Sequence, residues 1–235
     1  MREIIFDTET TGLKPEEGER VIEIGAVELE NRFPTGRNFH VYINPEGREV
    51  HPEALRVHGI ANSFLVDKPP FRDIARDFLD FVGDGILVAH NASFDMGFIN
   101  AEFARLGLPA FPADRVIDTL VLARRKHPMG PNSLDALCSR YNVDNAHRTK
   151  HGALLDSELL AEVYIEMNGG RQASLSLDSG RKLDENPTSE PVVSFERRQR
   201  PQPLPSRLSE EDVARHRQFI ASVGDKAIWK EWLQD

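Results

Sequence analysis

The sequence predicts an α/β fold built on one sheet of mixed direction, and three observations predict it. The first three strand-like segments follow one another through short connections, as antiparallel neighbours do. The apolar period then changes from two residues to about 3.6, the helical repeat. From that point short apolar runs alternate with amphipathic segments, an arrangement that adds parallel strands to the antiparallel ones.

Glu3–Asp7 is short, β-branched and bounded by Thr and Gly, the composition of a strand. Val21–Glu30 alternates apolar and acidic residues with period two, so it is a half-buried strand. Asn38–Asn44 alternates in the same way and ends at Asn44-Pro45. Phe71–Val82 then sets Phe71, Ile74, Ala75, Phe78, Leu79 and Val82 at helical spacing. Ile86–Ala89 is a brief apolar run of buried-strand type, followed by a helix over Phe94–Leu106 that stops at Gly107. Arg115–Asp118 is a fifth strand with a helix over Thr119–Lys126, and Ser133 caps a short helix through Tyr141. Leu154–Met167 is the last helix of this part, ending at Gly169-Gly170.

The character changes after that glycine pair. Pro187, Pro191, Pro201, Pro203 and Pro205 interrupt a stretch whose one aromatic residue is Phe195, the signature of a flexible linker. Ser209-Glu210-Glu211-Asp212 opens a new helix with acids in its first turn, where they suit the helix dipole. Beyond it, Phe219, Ile220, Val223, Ile228, Trp229, Trp232 and Leu233 are too few for a core and too apolar for a free tail. A partner-binding element accounts for them; packing back onto the domain is the alternative. The expected division is a domain over 1–168, a linker over 169–207 and a helical segment over 208–235.

Composition narrows the function classes. At 40% hydrophobic residues in a chain of 235, global disorder is excluded. No run approaches the ~18 apolar residues of a membrane span, so no membrane role is expected. The opening MREIIFDTETTGL turns acidic and lacks a signal-peptide layout. A single Cys138 excludes a disulfide scaffold and a cysteine zinc site. These features fit a soluble protein of a reducing cytoplasm. The net charge is -9, and all of it lies early: 18 Lys and Arg face 27 Asp and Glu up to residue 170, with 11 of each afterwards. Tight nucleic-acid binding through charge alone is therefore disfavoured.

Three places can carry chemistry. Asp7-Thr8-Glu9 puts two carboxylates on one strand face at its C-terminal end, where open α/β sheets bind ligands. Paired carboxylates repel unless a proton or cation intervenes, and oxygen ligands suit Mg²⁺ or Mn²⁺. The adjoining Thr10-Thr11-Gly12 is a turn whose backbone N–H groups can face a phosphate or sugar. Asp95 follows a buried strand and the polar loop Asn91-Ala92-Ser93, in the first turn of a helix. His151 precedes Asp156 by five residues on the loop into the last helix, and a neutral imidazole can take a proton from water near neutrality. Taken singly, a surface acid pair, a helix-start acid and an ordinary surface histidine explain each of them as well.

Taken in order, the three resemble one family. Asp-x-Glu after a first strand, Asn-x-x-Phe-Asp after a later one and His-x4-Asp before a last helix resemble the DEDD 3′→5′ exonucleases whose third motif carries His. The resemblance runs from residue 1 to about 168. Val57-His58-Gly59-Ile60, Asn132-Ser133-Leu134-Asp135-Ala136-Leu137-Cys138 and Arg148-Thr149-Lys150-His151 narrow it to the proofreading branch attached to bacterial replicative polymerases. It implies a ribonuclease-H-like sheet of five strands with helices on both faces. It also implies two divalent ions, Mg²⁺ or Mn²⁺, on Asp7, Glu9, Asp95 and Asp156, with Asp7 bridging them and Glu9 and Asp156 on the nucleophile's side. His151 is then the general base, and nucleoside 5′-monophosphates are released from single-stranded or frayed DNA 3′ ends. Thr10, Thr11 and Leu13 would touch the terminal sugar and base together with Asp7, Glu9 and Asp156, and His58 and Asn91 would line the strand's path.

The same resemblance gives the C-terminal third a purpose. Gln172, Leu175 and Leu177 resemble the short peptide that docks on the bacterial sliding clamp. The last segment, with Trp229 and Trp232 as anchors, stands where such proteins grip the polymerase alpha subunit. Tethering would then supply, through effective concentration, the DNA affinity that an acidic domain lacks. Two rivals use the same residues differently: a stand-alone 3′→5′ exoribonuclease, and a non-catalytic subunit bridging clamp and polymerase.

Overall fold

The computed structural model describes residues 1–148, 150–170 and 209–223, and the chain divides between Ser176 and Leu177 into two units. The first opens with β1 (Arg2–Thr10), β2 (Val21–Glu30) and β3 (Phe33–Tyr42), paired antiparallel as a meander. Two short helices follow, α1 (Pro52–His58) and α2 (Asn62–Leu65), and then α3 (Phe71–Val82). The alternating part consists of β4 (Ile86–Ala89), α4 (Ala92–Arg105), β5 (Val116–Asp118), α5 (Thr119–Lys126), α6 (Leu134–Tyr141) and α7 (Ala153–Met167). The sheet order is β3-β2-β1-β4-β5, with β4 parallel to both β1 and β5. The mixed sheet of five strands is the predicted one.

Boundaries moved where local rules met tertiary context. β1 continues to Thr10 because its polar end stays in the ladder, with a register shift between Glu9 and Thr10. β3 starts at Phe33 and not at Asn38, despite Pro34 and Gly36. It is an edge strand, where the missing N–H of a proline and the weak packing of a glycine are tolerated. α4 begins two residues earlier than expected, straight after Asn91, whose φ of 64° turns the chain out of β4. α1 and α2 were not expected at all: seven and four residues give too few turns for a periodic signal.

Strand alternation sorts the core onto two faces. Ile4 and Phe6 of β1, with Leu87 and Ala89 of β4, pack under α3 and α4. Ile5 and Val88 point the other way, against Leu160, Ala161, Tyr164 and Ile165 of α7. Asp7 and Glu9 share the parity of Ile5, so they emerge on the side that α7 covers.

One glycine decides how closely α7 approaches. Gly25 lies opposite Asp7 in the β1–β2 ladder. A Cβ built there would stand 2.1 Å from the backbone nitrogen of Leu154 and 2.2 Å from the carbonyl carbon of Ala153. The first turn of α7 therefore rests directly on β2 backbone, and the Ser157 hydroxyl, which lies 2.8 Å from the Gly25 carbonyl and 2.7 Å from that of Ala153, is held between the two. This seating brings Asp156 to the strand end that carries Asp7. Gly25→Ala should force strand and helix apart, costing about 3 kcal/mol and lowering Tm by about 6–12 °C. A thermal melt of the variant within 2 °C of wild type, on the same ~2 °C-per-kcal scale, would show that the contact yields easily.

The second unit contributes α8 (Glu210–Val223). Ser209 caps it: its Oγ accepts from the Asp212 N–H at 3.1 Å and donates to the Asp212 carboxylate at 2.6 Å. The residues expected to meet the clamp (Gln172, Leu175, Leu177) and the polymerase (Trp229, Trp232) lie outside the described residues. Among the described residues no helix is long and apolar enough to cross a membrane.

Candidate active site

Four acids from three elements meet at the C-terminal end of the sheet. β1 supplies Asp7 and Glu9, the first turn of α4 supplies Asp95, and the first turn of α7 supplies Asp156. Glu9, Asp95 and Asp156 are buried, while Asp7 is partly open to the cleft. Asp95 is fixed by Thr8, whose N–H and hydroxyl donate to one carboxylate oxygen at 3.0 and 2.7 Å. The α4 entry is set by Asp118, which caps α5 and also accepts from the Asn91 N–H at 3.2 Å.

Their charges conflict. Burial, followed by the charges of Asp95, Glu9 and Asp156, raises the Asp7 carboxyl well above the ordinary carboxylate range. Burial, then Glu23 opposite it in the ladder and Asp156, pushes Glu9 up to about 8. Burial lifts Asp95 to about 7 against the lowering effect of the Thr8 hydrogen bonds. Asp156 departs from the others: burial opposes its charge, but the hydrogen bonds and charge of Arg148, with His151 alongside, outweigh burial and hold it below the usual range. Converging carboxylates at this cost fit a divalent cation, which would relieve both repulsion and desolvation. Glu9, His151 and Asp156 each offer a ligand atom within 4.8 Å of the others. This chemistry of donors suits hard oxygen-seeking cations with one imidazole nearby.

His151 stands at the lip of the site, its side chain 48% exposed, with Nδ1 3.3 Å from Asp156. Its N–H is anchored to the Val57 carbonyl at 3.3 Å, which ties the loop before α7 to α1.

Two clefts meet at this point, sharing Asp7, His90 and His151. The first, about 600 Å³, has Thr10, Leu13, Val57, His58, Asn91 and Phe94 in its walls. The second, about 560 Å³, passes Arg124, Ser133, Asp135 and Arg148 to Asp156. Thr10, Leu13, His58 and Asn91 thus stand in the first cleft. Thr11 does not: it is fully enclosed, with its hydroxyl given to Glu19 and accepting the Arg20 N–H at 2.9 Å. Its residue type serves the turn, and Glu19 is itself held ionised at about 2, because Arg48, Thr11 and His51 outweigh its burial. Sequence reasoning left out Val57, Phe94 and Arg148 as site residues. Each lies inside a segment already singled out, so the signal was their neighbours; a role for each required the fold.

Known proteins resemble this chain in sequence and in fold. A family model described as "Exonuclease" matches residues 4–164. A DNA polymerase III subunit epsilon of Rickettsia felis is 45% identical over 226 residues, covering 95% of this chain and 97% of its own. Among solved structures, Exonuclease X in complex with 5′-overhanging duplex DNA is 28% identical with a TM-score of 0.54, over 71% of this chain and 89% of that one. The nuclease domain of 3′hExo, a DEDDh family member bound to rAMP, shares the fold with a TM-score of 0.62 at 19% identity, over 71% and 91%. Divalent metal ions belong to this fold's site. The chain belongs to the exonuclease family and, within it, to the epsilon subunits of DNA polymerase III, a proofreading 3′→5′ exonuclease.

Proposed function

We propose that this site removes nucleotides one at a time from DNA 3′ ends with two divalent ions, Mg²⁺ or Mn²⁺, and that the chain does so as a tethered subunit of a replisome. The observation that carries this reading is the convergence of four carboxylates and His151 at the junction of two clefts. Asp7, Glu9, Asp95 and Asp156 would hold the ions, with Glu9 and Asp156 as the acids beside His151. When bound, such ions activate water and stabilise charge on the attacking and leaving oxygens.

The rest falls to the chain's own residues. The first cleft takes the terminal nucleoside, with Val57, Phe94 and the 79% exposed Leu13 offering apolar surface to the base. Thr10 and His58 stand beside it, and Asn91 lies at the turn where the strand enters. The second cleft receives the preceding nucleotide, whose phosphate Arg124 faces. His151, at the shared lip, accepts the proton of the attacking water. Contacts of this kind read backbone and stacking surface, so base preference should be slight.

DNA and not RNA is favoured by the relatives, which are named as DNA polymerase subunits over nearly their whole length. Gln172, Leu175 and Leu177 would engage the clamp, Trp229 and Trp232 the polymerase alpha subunit, in the cytoplasm. The test uses full-length protein and a truncation after residue 180, with single-stranded DNA and RNA of one sequence. Both proteins should release deoxynucleoside 5′-monophosphates with Mg²⁺ or Mn²⁺, and the truncation should lose co-purification with the polymerase subunit. Faster release from RNA would favour the stand-alone exoribonuclease. A truncated protein that still binds polymerase would overturn the assignment of the C-terminal segment.

A further inference from the structure

The proposed chemistry gives Arg148, a cation in the wall of the second cleft, no task. Arg148 is enclosed, its side chain 7% exposed. Its Nε and one terminal nitrogen grip both oxygens of Asp156, at 2.6 and 2.7 Å. The same terminal nitrogen lies 2.9 Å from Nδ1 of His151, and the other holds Asp135 at 2.7 Å. Asp135 belongs to α6, is 59% exposed, and also accepts from the Asn145 amide at 3.1 Å.

A guanidinium has donors only and keeps its charge. Opposite it, Nδ1 of His151 must accept, so the ring's proton sits on Nε2. One side chain thereby engages both oxygens of a carboxylate that the reaction needs for metal and occupies the Nδ1 lone pair of the residue that the reaction needs as base. A divalent ion placed at Asp156 would repel the guanidinium across a buried, weakly screened gap. Asp135 offers it a second anchor, already bonded, in the wall of the second cleft. With Arg148 gone, Nδ1–H of His151 can donate to Asp156, which lies 3.3 Å away, and Nε2 is left free to accept a proton. That change is a tautomer shift through solvent at an exposed ring, with no net proton gained.

We propose that Arg148 is an internal latch: in the unloaded site it takes the place of a cation on Asp156 and ties up His151, and metal loading moves it onto Asp135. Arg148 is thus a positioning residue that couples occupancy of the site to availability of the base. The latch rests on the reading of Asp156 as a metal ligand.

Mn²⁺ alone, titrated calorimetrically into the full chain, separates the two ideas. Wild type should bind Mn²⁺ and Asp7→Asn should bind it far more weakly; if either fails, the metal-site reading falls and the latch with it. Given that result, Arg148→Gln should bind Mn²⁺ about tenfold more tightly than wild type, since a charge-assisted competitor is gone, while its metal-free Tm falls. Equal or weaker binding would overturn the latch and make Arg148 a prop for Asp156. Asp135→Asn, which changes an exposed carboxylate, should bind Mn²⁺ several-fold more weakly because the displaced guanidinium loses its second anchor; an unchanged affinity overturns the proposal even if Arg148→Gln does not fold. ¹⁵N imidazole spectra give the signature that a prop would not: Mg²⁺ should convert His151 of the wild type from Nε2–H to Nδ1–H. A tautomer indifferent to Mg²⁺ contradicts the latch.

Discussion

Asp7→Asn should lower mononucleotide release by at least ~10³-fold while making the metal-free protein more stable. The two effects have one cause. In the fold, burial and the neighbouring charges of Asp95, Glu9 and Asp156 raise the Asp7 carboxyl well above 3.8. A group whose folded pKa is raised favours the fold in its protonated form, so its contribution is present below the unfolded value and lost as pH rises through the folded one. Above that range an ionised Asp7 is a cost in the absence of metal, and Asn removes it at nearly constant shape. Glu9 defines a window from its ordinary 4.5 to about 8, over which chelated wild type should lose stability as pH rises. Asp156 runs the other way, because Arg148 holds it ionised, and its contribution is lost only in acid. In chelator at pH ~8 the variant should therefore melt about 3–6 °C above wild type, and the gap should narrow toward pH ~5. Saturating Mg²⁺ should reverse the order, since only wild type gains a ligand. Activity surviving the substitution, or a metal-free variant that melts lower, would remove Asp7 from the centre of the site.

The carboxylates could be read from the sequence because their positions follow from local rules. Period two puts Asp7 and Glu9 on one face, and a strand–loop–helix entry puts Asp95 in a first turn. The order of the motifs supplied the rest. Gly25 illustrates the limit. A glycine in a strand signals a close approach, but which backbone arrives is a long-range fact, and here it is Ala153 and Leu154, which set the place of Asp156. α1 was invisible because seven residues carry no period, yet it brings Val57 and His58 to the first cleft. Thr11 was expected at the ligand because its turn is; which of two adjacent threonines turns inward depends on Glu19 and Arg20, whose chain folds back onto it. Arg148 was visible as a letter in a motif and no more, since its grip on Asp156 depends on the loop that joins α6 to α7.

His151→Ala should reduce turnover by ~10²–10⁴-fold and leave Mn²⁺ affinity close to that of wild type. The geometry permits a different role, which gives the prediction its force: His151 offers a nitrogen within 4.8 Å of ligand atoms on Glu9 and Asp156, so it has the reach of a metal ligand. A ligand and a base differ in what they lose. Removing a ligand weakens metal binding, and turnover falls because the site is empty; added metal then restores it. Removing a base leaves the ions in place and the proton of the attacking water without an acceptor, so no metal concentration compensates. The exposure of the ring adds a second discriminator, because 48% of the side chain is open and small molecules can reach the gap it leaves. Free imidazole should recover part of the turnover of His151→Ala at saturating Mn²⁺, with a slope that rises as neutral imidazole increases with pH through ~6.5 to 7. Recovery by Mn²⁺ and none by imidazole would make His151 a ligand and return the role of base to water or to Glu9. Its place opposite Glu23 and beside Asp156 suits Glu9 to holding a cation, and leaves the exposed imidazole as the group best placed to pass a proton on to solvent.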